Sequence, residues 1–342
     1  MIFHEPTLTI SPEGVAMGID VGYKAVKAAC ADGSHVKTFS FPSVVAPAAD
    51  ALLNSSIQAI GSRKSELEIK VGGATFVVDT CETEPVSSSV MRTELDEFPR
   101  TEEYAALVFA ALLASGFKRF KQLTLGLPLH TFGQHAEYLA RKFRGAHEFG
   151  HGEFLVEQLT AIPQPLGSFY AFARNNPARL DNRTSICVVD IGWGTSDVLT
   201  ASASLKPDRQ RCGGFPGGAA VVLREIADQL KQQHQGRFGN LDRLDRAIIE
   251  NRPLVHNGAE IDLMSYVQRT QRVTTPICKA IANCIKTTED LTVIATGGAA
   301  HYYLPDLRKT LDCNVETVQN PRFANAIGFC QAAIDACARR AK

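Results

Sequence analysis

The sequence has no excess of charge of either sign. Its 342 residues include 36 Lys and Arg and 36 Asp and Glu, so the formal net charge is zero at pH 7 with His neutral. Domains that bind nucleic acid usually present a basic field to the phosphate backbone, and this chain has no such field overall. We therefore expect no direct binding of nucleic acid. The small basic cluster of Arg141, Lys142 and Arg144 is predicted to be a solvated helix face.

The chain also lacks long apolar runs and paired cysteine motifs. No uncharged apolar stretch approaches the roughly 18 residues that a membrane-spanning helix needs. The N-terminal sequence MIFHEPTLTISPEG has neither the basic start nor the apolar core of a secretory signal. The nine cysteines form no CxxC pair, and an odd number without a signal favours reduced thiols. We expect a soluble, cytoplasmic protein without membrane contact.

Several common catalytic motifs are missing as well. The chain contains no GxxxxGK followed by Ser or Thr, which excludes a P-loop, and Gly192-x-Gly194 lacks the third glycine of the dinucleotide fingerprint. His147 and His151 have the spacing of two metal ligands, but the surrounding glycines indicate a loop instead. With 45% hydrophobic and 21% charged residues, the chain can form ordinary packed cores, and its length suggests about two domains.

What the sequence does contain is one pattern that occurs twice. VAMGIDVG (15–22) has the composition of a buried strand that ends in an Asp-x-Gly turn, and residues 24–33 continue as a second strand. TSICVVDIGWGTSDVLTAS (184–202) repeats strand, Asp-x-Gly, turn and strand in the second half. Strands and helical segments alternate elsewhere, which is typical of layered α/β proteins. This self-similarity predicts two similar lobes that face each other across a cleft.

Local patterns predict several other elements. Residues 65–80 form two alternating runs joined near Gly72 and Gly73, which indicates a hairpin. Residues 101–117 show helical periodicity, with Thr101 as the N-cap and Gly116 at the C-terminal end. The polar, charged segment 235–250 is predicted to be an exposed helix.

The first Asp-x-Gly turn has the chemistry of a phosphate site. Asp20 closes an apolar strand, where a charge is costly unless it meets a cation or hydrogen-bond donors. Gly22 lets the backbone approach a ligand closely, and the amide groups of such a turn suit phosphate. Lys27 can add a positive charge. The alternative is an ordinary hairpin with a turn-stabilising Asp.

The second copy favours the phosphate interpretation. Asp190 and Gly192 repeat the aspartate and the glycine of the first turn, and Thr195 adds a hydroxyl group. Two such turns can clamp a polyphosphate, and their two carboxylates suit an octahedral Mg²⁺ that keeps several waters. A third motif, ATGGAA (295–300), places Gly297 and Gly298 between a strand and a helix, where the backbone could approach an adenosine. Glycine turns of this kind are common, so the third motif is weak by itself.

Together these motifs carry a family resemblance. GIDVGYKAVK (18–27) resembles the first phosphate loop of the actin superfamily, DIGWGTSD (190–197) resembles the second, and ATGGAA resembles its adenosine motif. SFPSVV (40–45), LTLGLP (123–128) and NPRFANAIGF (320–329) are similar to the ParM-like branch. The segment RTEEYAALVFAAL before LTLGLPLHTF is also similar to plasmid-associated PRTRC-type D proteins. The resemblance extends over roughly residues 17–335.

The resemblance implies an actin-like fold, in which two ribonuclease H-like α/β lobes form a duplicated ATPase with a nucleotide cleft between them. It implies an irregular N-terminal lead-in of residues 1–14, a domain I of residues 15–165 plus 325–342, and a domain II of residues 166–324. It further implies ATP and Mg²⁺ as ligands, ATP hydrolysis and head-to-tail filaments. Plasmid segregation through a separate DNA-binding adaptor protein is the implied role.

The resemblance also implies roles for single residues. Asp20 and Asp190 match the aspartates that organise metal-bound water, so both are catalytic and Mg²⁺-binding candidates. Lys27 matches the phosphate-contacting lysine, and Gln164 matches the residue that addresses the attacking water. Glutamine is not a strong base, so it would orient the water. The predicted nucleotide-binding residues are Gly22, Tyr23, Lys24, Lys27, Gly192, Gly194, Thr195, Gly297, Gly298 and Ala299.

Three positions in or beside these motifs have alternatives. Lys24 stands where the family usually has a small or hydroxylated residue, and it either adds a phosphate contact or points outward. Trp193 is bulky for the second loop and is predicted to pack on the outer face of that loop. Gln164 could simply cap the helix that begins near Pro165.

Two other functions of the same superfamily stay open. A nucleotide-binding scaffold of the cell-division or pilus-assembly kind would bind ATP and hydrolyse little of it. The terminal sequence ACARRAK is too short and too weakly amphipathic for the membrane anchor of a division protein. A small-molecule kinase would need a catalytic Asp that binds sugar in the first lobe, and the sequence offers no convincing candidate.

Overall fold

A computed structural model describes residues 14–33, 35–48, 66–81, 95–180, 185–234 and 236–340. The predicted N-terminal lead-in, apart from Gly14, lies outside these residues. Contacts divide the chain into two compact units. The first falls within Met1–Glu82, Arg92–Ala171 and Phe323–Lys342, and the second falls within Phe172–Arg322. None of the described helices is long and apolar enough to cross a membrane.

The elements of the first half of the chain are, in order, β1 (Val15–Val21), β2 (Ala25–Asp32), β3 (His35–Pro42), β4 (Val45–Pro47), β5 (Glu66–Val71), β6 (Ala74–Asp79), α1 (Glu102–Ser115), β7 (Arg119–Leu127), α2 (Phe132–Phe143), β8 (Gly145–Glu148), β9 (Glu153–Val156), β10 (Leu159–Pro163) and α3 (Gln164–Asn175).

The elements of the second half are β11 (Ser185–Ile191), β12 (Thr195–Ala201), β13 (Gly213–Pro216), α4 (Ala219–Gln233), α5 (Leu241–Ile249), β14 (Leu254–His256), β15 (Ala259–Ile261), α6 (Met264–Val267), α7 (Gln271–Ile285), β16 (Leu291–Thr296), α8 (Ala300–Leu311), β17 (Val315–Thr317) and α9 (Ala324–Arg340). Helix α9 returns to the first unit.

Each unit is built on one mixed sheet, and the two sheets correspond strand for strand. The first has the order β3-β2-β1-β7, with β10 beside β7 and with β9 and β8 added at the start of β7. The second has the order β13-β12-β11-β16-β17. In the first sheet β1 pairs antiparallel with β2 and parallel with β7. In the second, β11 pairs antiparallel with β12 and parallel with β16. The duplication predicted from the two hairpins is confirmed.

Helix α1 lies at the centre of the first unit, where every residue from Tyr104 to Leu113 is buried. A helix that is apolar all round has to be enclosed, and its many alanines allow close approach to neighbours. Its predicted ends are confirmed, since the Tyr104 amide donates to Thr101 Oγ1 at 3.1 Å and Gly116 adopts a left-handed φ of 83°. The small sheet β4-β6-β5, with its predicted turn at Gly72 and Gly73, packs on this helix.

The predicted exposed helix at 235–250 is wrong in extent and in exposure. The helix begins only at Leu241, because Asn240 Oδ1 accepts a hydrogen bond from the Arg243 amide at 3.0 Å and so caps it there. Leu244, Asp245, Ala247 and Ile248 are buried. These positions recur at helical spacing within a charged segment, so α5 is amphipathic and has an apolar face that packs inward.

Candidate functional site

The first Asp-x-Gly turn encloses a buried carboxylate with two partners. Asp20, near the end of β1, is 3% exposed. Lys27 lies directly opposite it on β2, with Nζ 3.3 Å from Asp20 Oδ2. Gln164 Nε2 donates a hydrogen bond to Asp20 Oδ1 at 2.7 Å. The pKa of the Tyr104 hydroxyl is raised, first by burial and then by the charge of Asp20. The structure thus supplies the cation and the donor that a buried carboxylate requires.

The position of Gln164 follows from the sheet. Strand β10 runs parallel to β7 and ends at Pro163, so α3 begins at the sheet edge where parallel strands end. Gln164 is the first residue of that helix, and its amide group points to Asp20 from a sequence distance of 144 residues. A purely local capping role does not account for this bond.

Hydrogen bonds within the first turn and from Ser43 hold the backbone of that turn. The Gly22 amide donates to Ala25 O at 3.2 Å, and Ser43 Oγ donates to Gly22 O at 2.5 Å. The Ser43 amide also donates to Lys24 O at 3.0 Å. Ser43, in the segment SFPSVV, therefore fixes the shape of the turn through two hydrogen bonds. The Tyr23 ring packs on Phe98, with the ring centroids 5.9 Å apart.

The second turn repeats this backbone in the second unit. Asp190 lies near the end of β11 and is 7% exposed, and the Gly192 amide donates to Thr195 O at 2.9 Å. The Gly192 carbonyl accepts from the Ala219 amide at 3.0 Å, and the Gly194 carbonyl accepts from the Gly217 amide at 2.9 Å. The turn is thus tied to the first residues of α4.

The adenosine-like motif lies against the second turn. Gly297 follows β16 with a φ of +88°, and the Ala299 amide donates to Ile191 O at 3.0 Å. A Cβ atom at Gly297 would lie 2.2 Å from Ile191 O and 2.5 Å from Asp190 Oδ1. No side chain fits between these groups, so a glycine is required at this position. By contrast, a Cβ at Gly298 would meet nothing within 4 Å.

The predicted residues are therefore brought together within each unit. Asp20, Gly22, Lys27 and Gln164 form one group in the first unit, and Asp190, Gly192, Gly194, Thr195 and Gly297 form another in the second.

Known proteins with this arrangement identify the fold. Residues 18–167 match the family described as the N-terminal domain of actin-like proteins. The archaeal actin homologue Ta0583 superimposes with a TM-score of 0.73 over 94% of this chain and 99% of its own, at 18% identity. The protein has the actin fold. The predicted resemblance to the actin superfamily and the predicted two-lobe α/β fold are confirmed.

Two ParM structures also match this chain in fold. A ParM from Clostridium botulinum, solved as a 15-stranded filament, has a TM-score of 0.69 and 20% identity and covers 94% of this chain and 99% of that one. A Bacillus thuringiensis ParM solved with ATP has a TM-score of 0.64 and 14% identity, with coverage of 95% and 99%. A comparison of the sequence with curated proteins finds no match.

The two unusual residues of the actin-like turns have different surroundings. Lys24 is half-buried, and its carbonyl is held by Ser43. Trp193 is 8% exposed, and its packing on the outer face of its loop stays a prediction. Its carbonyl accepts from the Ala220 amide at 2.9 Å at the start of α4. The turn is folded back against the helix, so the indole is part of the core.

One residue of the site is missing from the predicted set. Asp197 lies directly opposite Asp190 on β12, at the position that Lys27 occupies in the first hairpin, and it is 2% exposed. The signal was present in DIGWGTSD, because the register of the two hairpins is the same. The two turns therefore share a backbone but differ in charge: the first pairs a carboxylate with a cation, and the second pairs two carboxyl groups.

The two histidines with metal-like spacing are used structurally. His147, expected in a loop, lies in strand β8, which pairs with β9, and its Nε2 is 2.9 Å from Phe143 O. His151 Nε2 is 2.7 Å from Glu68 O. Within the described ranges, no group of three or more His, Cys, Asp or Glu residues could by itself hold a metal ion.

We expect Gly297→Ala to destabilise the second unit strongly and Gly298→Ala to leave it nearly unchanged. The Gly297 change combines a clash with two oxygen atoms and a left-handed φ, for a loss of about 2–5 kcal/mol in the free energy of unfolding. The Gly298 change should stay within about 0.5 kcal/mol. Chemical denaturation of both variants checks this. Equal stability of the two variants would contradict the close contact between the third motif and Asp190.

Proposed function

We propose that the protein is a Mg²⁺-dependent ATPase whose two Asp-x-Gly turns bind the phosphates of ATP. The observation that carries the proposal is the buried Asp20, which is bonded both to Lys27 and to Gln164. An ordinary hairpin would not need a buried carboxylate that links a strand pair to the start of a distant helix. The nucleotides bound to two structural relatives, ADP in Ta0583 and ATP in the B. thuringiensis ParM, support it.

In this proposal the two turns bind the phosphates, and the nearby side chains offset the negative charge. Backbone amides of the turns at Gly22 and Gly192 would donate to phosphate oxygens, as amides in such concave turns do. Lys27 would offset the charge of both Asp20 and the phosphates. Gly297, Gly298 and Ala299 would let the backbone lie against the adenosine, and Thr195 would add a hydroxyl donor.

The chemistry of the carboxyl groups supports Mg²⁺ as the ion. Asp20, Asp190 and Asp197 would offer oxygen atoms, which Mg²⁺ prefers. Since the described part of the chain has no cluster of three ligands, the ion would be bound mostly by water and phosphate, which is usual for Mg²⁺. When bound, Mg²⁺ neutralises charge on the phosphates.

Gln164 would orient the water that attacks the terminal phosphate. A carboxylate can only accept hydrogen bonds, so the Gln164 group that faces Asp20 has to be its NH₂. The amide oxygen then points elsewhere and can accept a hydrogen bond from a water molecule. Because an amide is not a strong base, the proton would pass to a phosphate oxygen or a carboxylate.

We further propose that the ATPase assembles head to tail into filaments that segregate plasmid or other DNA in the cytoplasm. The filament of the C. botulinum ParM supports self-association. The balanced charge favours a separate adaptor protein over direct DNA contact. All nine cysteines are free thiols, which suits a reducing compartment.

The first test is Asp190→Asn, which keeps the shape of the side chain and removes its charge. We expect ATP turnover to fall about 100- to 1,000-fold, because a group that organises the phosphate charge is lost. The matched control is Asp306→Asn on α8, since Asp306 is also 7% exposed but bonds to Thr274 and Thr275. The control should lose stability and keep its turnover. Wild-type turnover in Asp190→Asn would refute the assignment.

The second test is Gln164→Ala. If Gln164 acts mainly in the transition state, kcat should fall roughly 10- to 1,000-fold while nucleotide affinity changes little. Single-turnover hydrolysis, measured alongside thermal melting, separates this from a helix-capping role. A lower melting temperature with unchanged turnover would show that the attacking water is oriented by another residue.

The third test is pelleting with ATP, ADP and a non-hydrolysable ATP analogue. We expect sedimenting polymers with ATP and the analogue, and disassembly as ATP is consumed, because head-to-tail contacts that do not close produce open filaments. Asp190→Asn serves as the control that cannot complete the cycle. Polymers that sediment equally with ATP, ADP and the analogue would indicate a static scaffold. A protein that never sediments but consumes ATP would indicate a kinase-like function.

A further inference from the structure

We propose that Asn325 and Phe329 of helix α9 are positioning residues, which hold the first turn of α3 and so direct Gln164 toward Asp20. This inference rests on the proposed ATPase function. Both residues lie on one face of α9, since residues four apart in a helix are neighbours. Neither residue is within the Asp-x-Gly turns or the adenosine-like motif.

The Phe329 ring fills a space that two glycines leave open on either side of Gln164. It is completely buried. A Cβ at Gly126, near the end of β7, would lie 2.3 Å from the ring, and a Cβ at Gly167, in the first turn of α3, would lie 2.4 Å from it. The same Cβ at Gly126 would lie 3.2 Å from Gln164 Cγ. Phe329 therefore contacts both the strand and the helix that flank the Gln164 side chain.

Asn325 holds the same helical turn through hydrogen bonds. Its Oδ1 accepts from the Ser168 amide at 3.2 Å and from Ser168 Oγ at 2.6 Å. Both residues are buried. Ser168 is the fifth residue of α3 and lies about one helical turn after Gln164. A side chain from α9 thus stabilises the first turn of α3.

The same stretch of α9 also rests on the strand that carries Asp20. A Cβ at Gly18, two residues before Asp20 on β1, would lie 2.4 Å from the Cys330 amide nitrogen and 2.5 Å from Phe329 Cβ. A Cβ at Gly328 would lie 1.7 Å from Gly167 O. One short segment of helix therefore contacts β1 and α3 at backbone distance, and these two elements supply the two ends of the Gln164–Asp20 hydrogen bond.

This shared support is what distinguishes positioning from ordinary packing. A hydrogen bond weakens steeply when its distance or angle changes, and a shift of about 1 Å in a reacting geometry can cost about 100-fold in rate. If α9 only filled the core, a smaller side chain at Phe329 would lower stability without a specific effect on kcat.

The experiment compares Phe329→Leu with Phe154→Leu in the full chain. Phe154 is equally buried in the same unit, but it lies on β9 and packs on Phe149, with the ring centroids 4.5 Å apart and the rings tilted by 36°. Both variants should melt at a lower temperature. Only Phe329→Leu should lower kcat at saturating Mg-ATP, by about 10-fold or more, with nucleotide affinity nearly unchanged. Equal kcat in the two variants would overturn the proposal.

A double-mutant cycle tests whether Phe329 affects kcat through Gln164. In a Gln164→Ala background, Phe329→Leu should cause no further loss of kcat, although it should still lower the melting temperature. Additive losses of kcat would show that Phe329 acts independently of Gln164. Asn325→Ala leaves a smaller cavity and should show the same pattern, so it keeps the test decisive if Phe329→Leu does not fold.

A readout that needs no turnover separates this inference from the proposed function. The side-chain amide resonance of Gln164, assigned by its absence in Gln164→Ala, reports the bond to Asp20 in the nucleotide-free protein. It should shift in Phe329→Leu and Asn325→Ala and stay in place in Phe154→Leu. A wild-type protein without ATPase activity would refute the proposed function alone. An unmoved Gln164 resonance would refute the positioning role whatever the activity.

Discussion

A carboxylate buried at the end of an apolar strand is the constraint on which the first unit depends. Asp20 could not remain there without compensation, and its compensation comes from two other segments, β2 through Lys27 and α3 through Gln164. The sheet order and the hydrogen bond from Ser43 to Gly22 give the turn its shape. The groups proposed for catalysis are thus also the groups that make the buried charge tolerable, so fold and site share the same bonds.

Duplication provides the second unit with the same backbone but a different set of side chains. The strand order and the turn hydrogen bond recur, whereas the lysine of the first hairpin is replaced by Asp197. The adenosine-like turn packs on the second hairpin, through Gly297 and Ile191. In the proposed ATPase the two copies would therefore have different roles. The first would supply the amide that orients the water and the cation, and the second would supply the extra carboxyl group and the nucleoside contact.

Local patterns predicted much of this arrangement because the residues concerned are close in sequence. The strand ending in Asp20, the turn at Gly22 and the capped helix after Thr101 each depend on fewer than about twenty neighbouring residues. The register that places Asp197 opposite Asp190 was available from the same repeat, but it needed the second hairpin to be aligned on the first, residue by residue.

Other features could not be predicted in this way. The bond from Gln164 to Asp20 joins residues 144 apart in sequence, and the bonds from Ser168 to Asn325 join residues 157 apart. The resemblance to a family pointed to Gln164, but no periodicity marks Phe329 as the residue that fills the space beside two glycines. The buried face of α5 was missed because charged residues dominate the composition of its segment, while spacing decides which side packs inward.

The facing carboxyl groups of the second hairpin would connect ligand occupancy to folding energy in the proposed ATPase. Asp190 and Asp197 are buried at directly opposite strand positions. A cation that binds to them in the native state only would raise the free energy of unfolding with the logarithm of its concentration above Kd. The measured stability of the second hairpin would then report how much of the proposed cation is bound.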